Sequence, residues 1–169
     1  MAERQIVKYG DPVLREVSET IDTVNSEIKD LVSDLIDTLK GASGLGLAAV
    51  QIGVLLRLFI IDMTAIDPTA TLKVYINPEI LETSEEEIEL EEGCLSFPGI
   101  YQKVTRPVRV KVRATDVDGN VFEEELDEMP ARAVLHEYDH LEGKLFIDHL
   151  TPLAKTMLKG QLKKLAQAS

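Results

Sequence analysis

Val108-Arg109-Val110-Lys111-Val112-Arg113-Ala114-Thr115-Asp116-Val117-Asp118-Gly119-Asn120-Val121-Phe122-Glu123-Glu124-Glu125-Leu126 runs directly into Asp127-Glu128-Met129-Pro130-Ala131-Arg132-Ala133-Val134-Leu135-His136-Glu137-Tyr138-Asp139-His140-Leu141. The period changes along this stretch. Val108, Val110, Val112 and Ala114 alternate with charged or polar residues. Asp118-Gly119 then turns the chain into Val121–Leu126, so the first part reads as a β-hairpin. From about Asp127 to Leu141 the pattern is helical, with Pro130 in the first turn and Gly143 as the stop.

Upstream of the hairpin, Leu58–Asp62 and Lys73–Ile76 read as strands. Glu87 to Glu91 alternates acid and apolar residues, which predicts another strand with Ile88 and Leu90 inward. Nearer the N-terminus, Asp11-Pro12 signals a short helix reaching about Ser18. A second helix starts near Asn25. Its stripe of Ile28, Leu31, Val32, Leu35, Ile36 and Leu39 recurs at helical spacing, and Gly41 supplies its stop. A last helix begins near Thr151-Pro152 and covers about 152–166. Strands fill the middle and helices the two ends, without regular alternation. The expected class is α+β, with antiparallel or mixed strands around a central metal-binding helix. No linker or repeat divides the chain, so 1–169 is expected to form one domain.

The 169 residues can bury one core without disulfides or a structural metal, so a bound metal would serve chemistry. The lone cysteine, Cys94, excludes an intrachain disulfide and suits a reducing compartment. Neither a signal core nor an apolar run of membrane-spanning length is present, and a soluble, cytoplasmic protein is expected. A net charge of −12 argues against a DNA-binding body, and the short apolar runs around Leu45–Val50 and Leu58–Ile61 against a membrane role. The charge is uneven: Lys155, Lys159, Lys163 and Lys164 give residues 151–169 a charge of +4, leaving −16 on the other 150.

His136-Glu137-Tyr138-Asp139-His140 is an H-E-x-x-H motif. Helical residues four apart lie on one face with Cβ atoms roughly 5–6 Å apart. Two imidazoles so placed can reach one metal, each at about 2.0–2.1 Å. Glu137 sits beside them, where it can take a proton from water on that metal. Asp139 and Glu142 lie on other faces and are poor third ligands. The metalloprotease pattern puts a third histidine where this chain has Phe146, and His149 is three residues late and reads as a surface residue. Cys94, in Glu92-Gly93-Cys94-Leu95-Ser96, is the better third ligand. Its thiolate suits Fe²⁺, Zn²⁺ or Ni²⁺ rather than Mg²⁺ or Ca²⁺.

Three segments together resemble the signatures of the peptide deformylase family: Gly44-Leu45-Gly46-Leu47-Ala48-Ala49-Val50-Gln51, Glu92-Gly93-Cys94-Leu95-Ser96 and His136-Glu137-Tyr138-Asp139-His140-Leu141. One departure is Leu135, where many members have glutamine. The resemblance implies a metal-dependent hydrolase of protein biosynthesis and N-terminal methionine processing. Such an enzyme removes the formyl group from the formyl-methionine of new polypeptides and releases formate. It implies Cys94, His136 and His140 as ligands of one divalent ion, commonly Fe²⁺, with Ni²⁺ or Zn²⁺ able to take the same site. It further implies Glu137 as acid and base, with the Gln51 amide and the Leu95 N–H as oxyanion donors. Gly46 lets substrate backbone pair alongside. Met129 and Ala133 are candidates to line the pocket for the substrate's methionine, or plain core residues.

Two competing readings are a zinc endopeptidase, which lacks its third histidine here, and a binding protein with a structural metal, in which Glu137 would have no use. The C-terminal helix also carries two readings. Lys155, Lys159 and Lys163 form a basic stripe beside Leu158, Leu162 and Leu165. Either this is a solvated face over leucines packed on the body, or it is a transient docking element for ribosomal RNA near emerging chains.

Overall fold

The computed structural model describes residues 2–168. Among these, Pro12–Arg15 forms one 3-10 turn capped by the Asp11 carboxylate, which accepts from the Val13 amide. The helix expected to reach Ser18 stops there, because the following backbone finds partners elsewhere: Ser18 N–H donates to Leu141 O and Glu19 N–H to Leu55 O. Helix α1 is Ser26–Lys40, with the Asn25 side chain accepting from the Ile28 amide at its start. Strand β1 is Gly46–Ala48, β2 Leu58–Ile61, β3 Lys73–Thr83, β4 Glu87–Gly93, β5 Tyr101–Pro107, β6 Arg109–Thr115 and β7 Val121–Asp127. Helix α2 is Glu128–Leu141 and α3 is Pro152–Ala168.

The strands form a five-stranded sheet in the order β1-β2-β3-β6-β7 and a separate β4-β5 ribbon, all antiparallel. The architecture is α+β, as expected. Strand β2 is a continuous apolar run buried on both faces. Leu58 and Ile60 pack with Leu31 and Leu35 of α1, while Phe59 and Ile61 pack with Val134 and Leu141 of α2. The two helices therefore clasp one end of the sheet, and α2 lies at the centre of the molecule. A third cluster joins Phe97, Val104 and Phe146 to Leu158 of α3. Gly143 ends α2 with φ 72°, and a Cβ there would come 2.5 Å from the Arg15 carbonyl oxygen. Among the described residues no helix is long and apolar enough to cross a membrane.

Three local expectations change. Strand β3 continues seven residues past Ile76 to Thr83, across Asn77 at φ 51° and Pro78. The irregularity is held from outside the strand, since the Asn77 side chain exchanges two hydrogen bonds with the backbone of Ile21. Ile88 is not buried: it is 42% exposed although it lies across from buried Arg106, since β4 pairs only with β5 and no further strand extends the ribbon. Strand β5 itself had no apolar alternation to reveal it. Of its side chains Val104 and Arg106 are the buried ones, and an inward arginine reads as polar surface.

Candidate active site

Helix α2 presents His136, Glu137 and His140, all buried, toward β1 and the loop after β4. One ligand atom each from Cys94, His136 and His140 lies within 4.8 Å of the others. Cys94 Sγ is 3.4 Å from His140 Nε2. Burial lowers His140 to about 3 and so keeps its imidazole neutral, the form that binds metals. Burial opposes charge on His136 too, but hydrogen bonds to Cys94 and Glu92 outweigh it and raise this histidine well above its ordinary value. A soft thiolate and two imidazoles fit one Fe²⁺, Zn²⁺ or Ni²⁺ ion.

Glu137 is 5% exposed, and its Oε1 has no hydrogen-bond partner among the described residues. Burial raises it to about 7. A carboxylate tuned near neutrality suits proton transfer in both directions. Gly46 stands across from it: a Cβ at that position would lie 3.0 Å from both Glu137 Oε2 and the Ile60 carbonyl oxygen. The glycine therefore clears room for the acid as well as exposing backbone.

A cavity of about 290 Å³ opens onto these groups, and Gly46, Gln51, Leu95, Met129 and Ala133 all line it. Gln51 follows β1 in a short 3-10 turn and is 1% exposed. Its Oε1 accepts from Ala48 N–H at 3.0 Å, which aims Nε2 at Ser96 Oγ, 3.1 Å away, and at Cys94 Sγ, 3.6 Å away. Every candidate site residue named from the sequence thus reaches one cavity except His140, which lies behind its wall at 1% exposure.

The chain is similar to known proteins over nearly its whole length. The family model for polypeptide deformylase matches residues 3–156. A peptide deformylase of Novosphingobium aromaticivorans is 42% identical, with all of both chains covered. The crystal structure of a peptide deformylase from Legionella pneumophila superposes with a TM-score of 0.90 at 40% identity, covering 99% of this chain and 97% of that one. That of the Thermotoga maritima peptide deformylase gives 0.84 at 38% identity, covering 90% and 100%. The chain belongs to the peptide deformylase family.

Around this deformylase site lies a buried ionic network that sequence reading missed. Glu92 accepts from Arg106 Nε at 2.6 Å and from Arg106 Nη2 at 3.0 Å, and it also binds Arg132 Nη1. Its Oε1 is 2.9 Å from His136 Nδ1, which leaves Nε2 as the ring's ligand atom for a metal. Arg106 reaches on to Asp139 at 2.9 Å, and Asp139 meets His149 Nε2 at 2.7 Å. His149 is thus the outer end of this chain rather than an isolated surface residue. Burial alone would raise Glu92, but hydrogen bonds from His136 and Arg106 hold it at about 2. Because the folded value lies below the unfolded 4.5, this stability is present above pH 4.5 and is lost as pH falls through about 2.

The Glu92→Ala change should be costly, since it strands two buried guanidinium groups. We expect a loss of roughly 3–5 kcal/mol by denaturant unfolding of the metal-free protein. Metal affinity should also fall about 10–100-fold, because His136 loses the partner that orients it. Unfolding midpoints and metal binding both unchanged would remove Glu92 from this role.

Proposed function

We propose that this chain removes the formyl group from the N-terminal formyl-methionine of newly synthesised polypeptides, with Cys94, His136 and His140 holding one divalent ion and Glu137 moving the proton. Hydrolytic deformylation of nascent peptides is the family's activity. The observation that carries the residue assignments is the convergence of three ligand atoms within 4.8 Å beside a buried, partly unpartnered carboxylate on the same helix. Fe²⁺ is the proposed ion, in keeping with the thiolate in the ligand set, and the lone free thiol suits the reducing cytoplasm.

The ion supplies Lewis acidity at the formyl oxygen and lowers the pKa of the attacking water. A thiolate with two neutral imidazoles leaves a net +1 on a divalent centre, against +2 with three histidines, so donors from the protein matter more. The Ala48 N–H holds Gln51 by its Oε1, which turns Nε2 toward Cys94 as one donor, and the Leu95 N–H is the second donor for the developing oxyanion. Glu137 takes one proton from water as the oxygen adds to the formyl carbon. It returns that proton to the methionine nitrogen as the C–N bond breaks, giving formate and a free amine. The methionine side chain fits against Met129 and Ala133. Strand β1 is the outer strand of its sheet, so substrate backbone can extend alongside Gly46.

Mass spectrometry of a formyl-Met-Ala-Ser digest tests the reading. The formyl group should be lost with every peptide bond intact. Cleavage of internal bonds would move the assignment to an endopeptidase.

The C-terminal helix is proposed to dock transiently on ribosomal RNA. Leu158 is buried and Leu162 and Leu165 pack on the third core cluster, while Lys155, Lys159 and Lys163 are exposed. The apolar stripe is thus occupied by the body, which leaves the lysines able to meet phosphate without unfolding the helix. Charge reversal of these three lysines to glutamate should leave activity on a short formylated peptide intact. Ribosome co-sedimentation at low salt should fall by roughly an order of magnitude. Unchanged co-sedimentation, or none in the parent protein, makes the stripe a solvated face.

A further inference from the structure

His149 is the exposed end of the buried ionic chain, and no step above uses it. It closes a short 3-10 turn, Phe146–His149, and both ends of that turn bear on His136. At one end the buried Phe146 ring lies 5.8 Å from the His136 ring, tilted by 34°. At the other, His149 Nε2 meets Asp139 Oδ2 at 2.7 Å. A carboxylate only accepts, so the imidazole is the donor there. The same oxygen accepts from Arg106 Nη1 at 2.9 Å. The other edge of Arg106, Nε and Nη2, is forked over both oxygens of Glu92. A guanidinium is a rigid plane, so anchoring its outer nitrogen also sets how its inner fork holds Glu92. Glu92 in turn faces His136 Nδ1. Asp139 can rotate about its own side-chain bonds, and the contact from His149 selects one setting. The turn is tied to the body separately at Asp148, which accepts from Arg15 at 2.6 and 3.0 Å.

We propose that His149 is a positioning residue for the metal centre: through Asp139, Arg106 and Glu92 it fixes the His136 ring in the setting that holds the ion. The inference rests on the reading of Cys94, His136 and His140 as ligands of one divalent ion. A partner that directly orients a ligating histidine is worth about 10–100-fold in metal affinity. His149 acts beyond Arg106 and Asp139, and Arg132 also holds Glu92, so its loss loosens the chain without freeing it. Its share is therefore smaller, about three- to ten-fold.

The test loads the parent, His149→Gln, His149→Leu and Arg15→Ala with Co²⁺, whose visible bands report ligand geometry, and follows loss of the ion to excess chelator. Glutamine places an N–H donor where the imidazole has its own, and leucine fills the space without one. His149→Leu should release Co²⁺ about three- to ten-fold faster than the parent and shift the bands. His149→Gln should restore both. On formyl-Met-Ala-Ser, His149→Leu should lower kcat and leave KM unchanged, since the change reaches the ion and not the peptide. Arg15→Ala removes the separate tie of the same turn and should release Co²⁺ at the parental rate. Parental release from His149→Leu would overturn the proposal, as would release from His149→Gln as fast as from His149→Leu. Equally fast release from Arg15→Ala would also overturn it, by showing that any loosening of the turn suffices. Failure of the underlying ligand reading looks different, since none of the four proteins would then take up one Co²⁺ per chain.

Discussion

Glu137→Ala is expected to bind metal as fully as the parent and to release formate roughly 10²–10⁴-fold more slowly. The side chain is buried beside the candidate ligands but supplies no ligand atom to their cluster. Its Oε1 lacks a hydrogen-bond partner among the described residues, so truncation breaks no hydrogen bond at that oxygen. The effect should fall on kcat, because the acid serves the proton transfers rather than methionine binding. Glu137→Gln should be similarly slow, as an amide keeps the shape and cannot carry the proton. Near-normal turnover in either variant, at equal metal content, would remove Glu137 from the chemistry.

Cys94→Ala should lose the metal itself. Loss of a second-shell partner lowers metal affinity by about 10–100-fold, and loss of a direct ligand should exceed that. Metal content after gel filtration should therefore fall from near one ion per chain to near none, with activity falling alongside. The thiolate also makes the site sensitive to oxidation, since sulfur at this position can climb to sulfenic and sulfinic acids. Air should inactivate the Fe²⁺ form, and substitution by Ni²⁺ should protect it. Full metal occupancy in Cys94→Ala would rule out the ligand role. Equal air stability of the Fe²⁺ and Ni²⁺ forms would contradict the oxidation account.

The parts of this site that were legible in the sequence are those written in local spacing. His136 and His140 share a helix face by periodicity alone, and Gln51, Cys94 and Leu95 sit in compact signatures. The buried network was not legible, for a physical reason. Glu92, Arg106 and Arg132 come from β4, β5 and α2, and each reads as surface when taken singly. Only the fold shows that they neutralise one another inside it, with Glu92 turned to His136. The same blindness hid β5, whose inward residues include that arginine. Ile88 failed in the opposite direction: its alternation was genuine, but a ribbon of only two strands leaves this position partly in water. At Asn77-Pro78 local propensity predicted a stop. Hydrogen bonds to Ile21, far off in sequence, carry the strand through it.

The most direct test of the account is formate release from formyl-Met-Ala-Ser by anaerobically purified protein, with metal content measured in the same sample. Formate should appear in step with bound Fe²⁺, vanish on chelation and return when Fe²⁺ or Ni²⁺ is restored. Protein that carries a full complement of metal and yields no formate would contradict it.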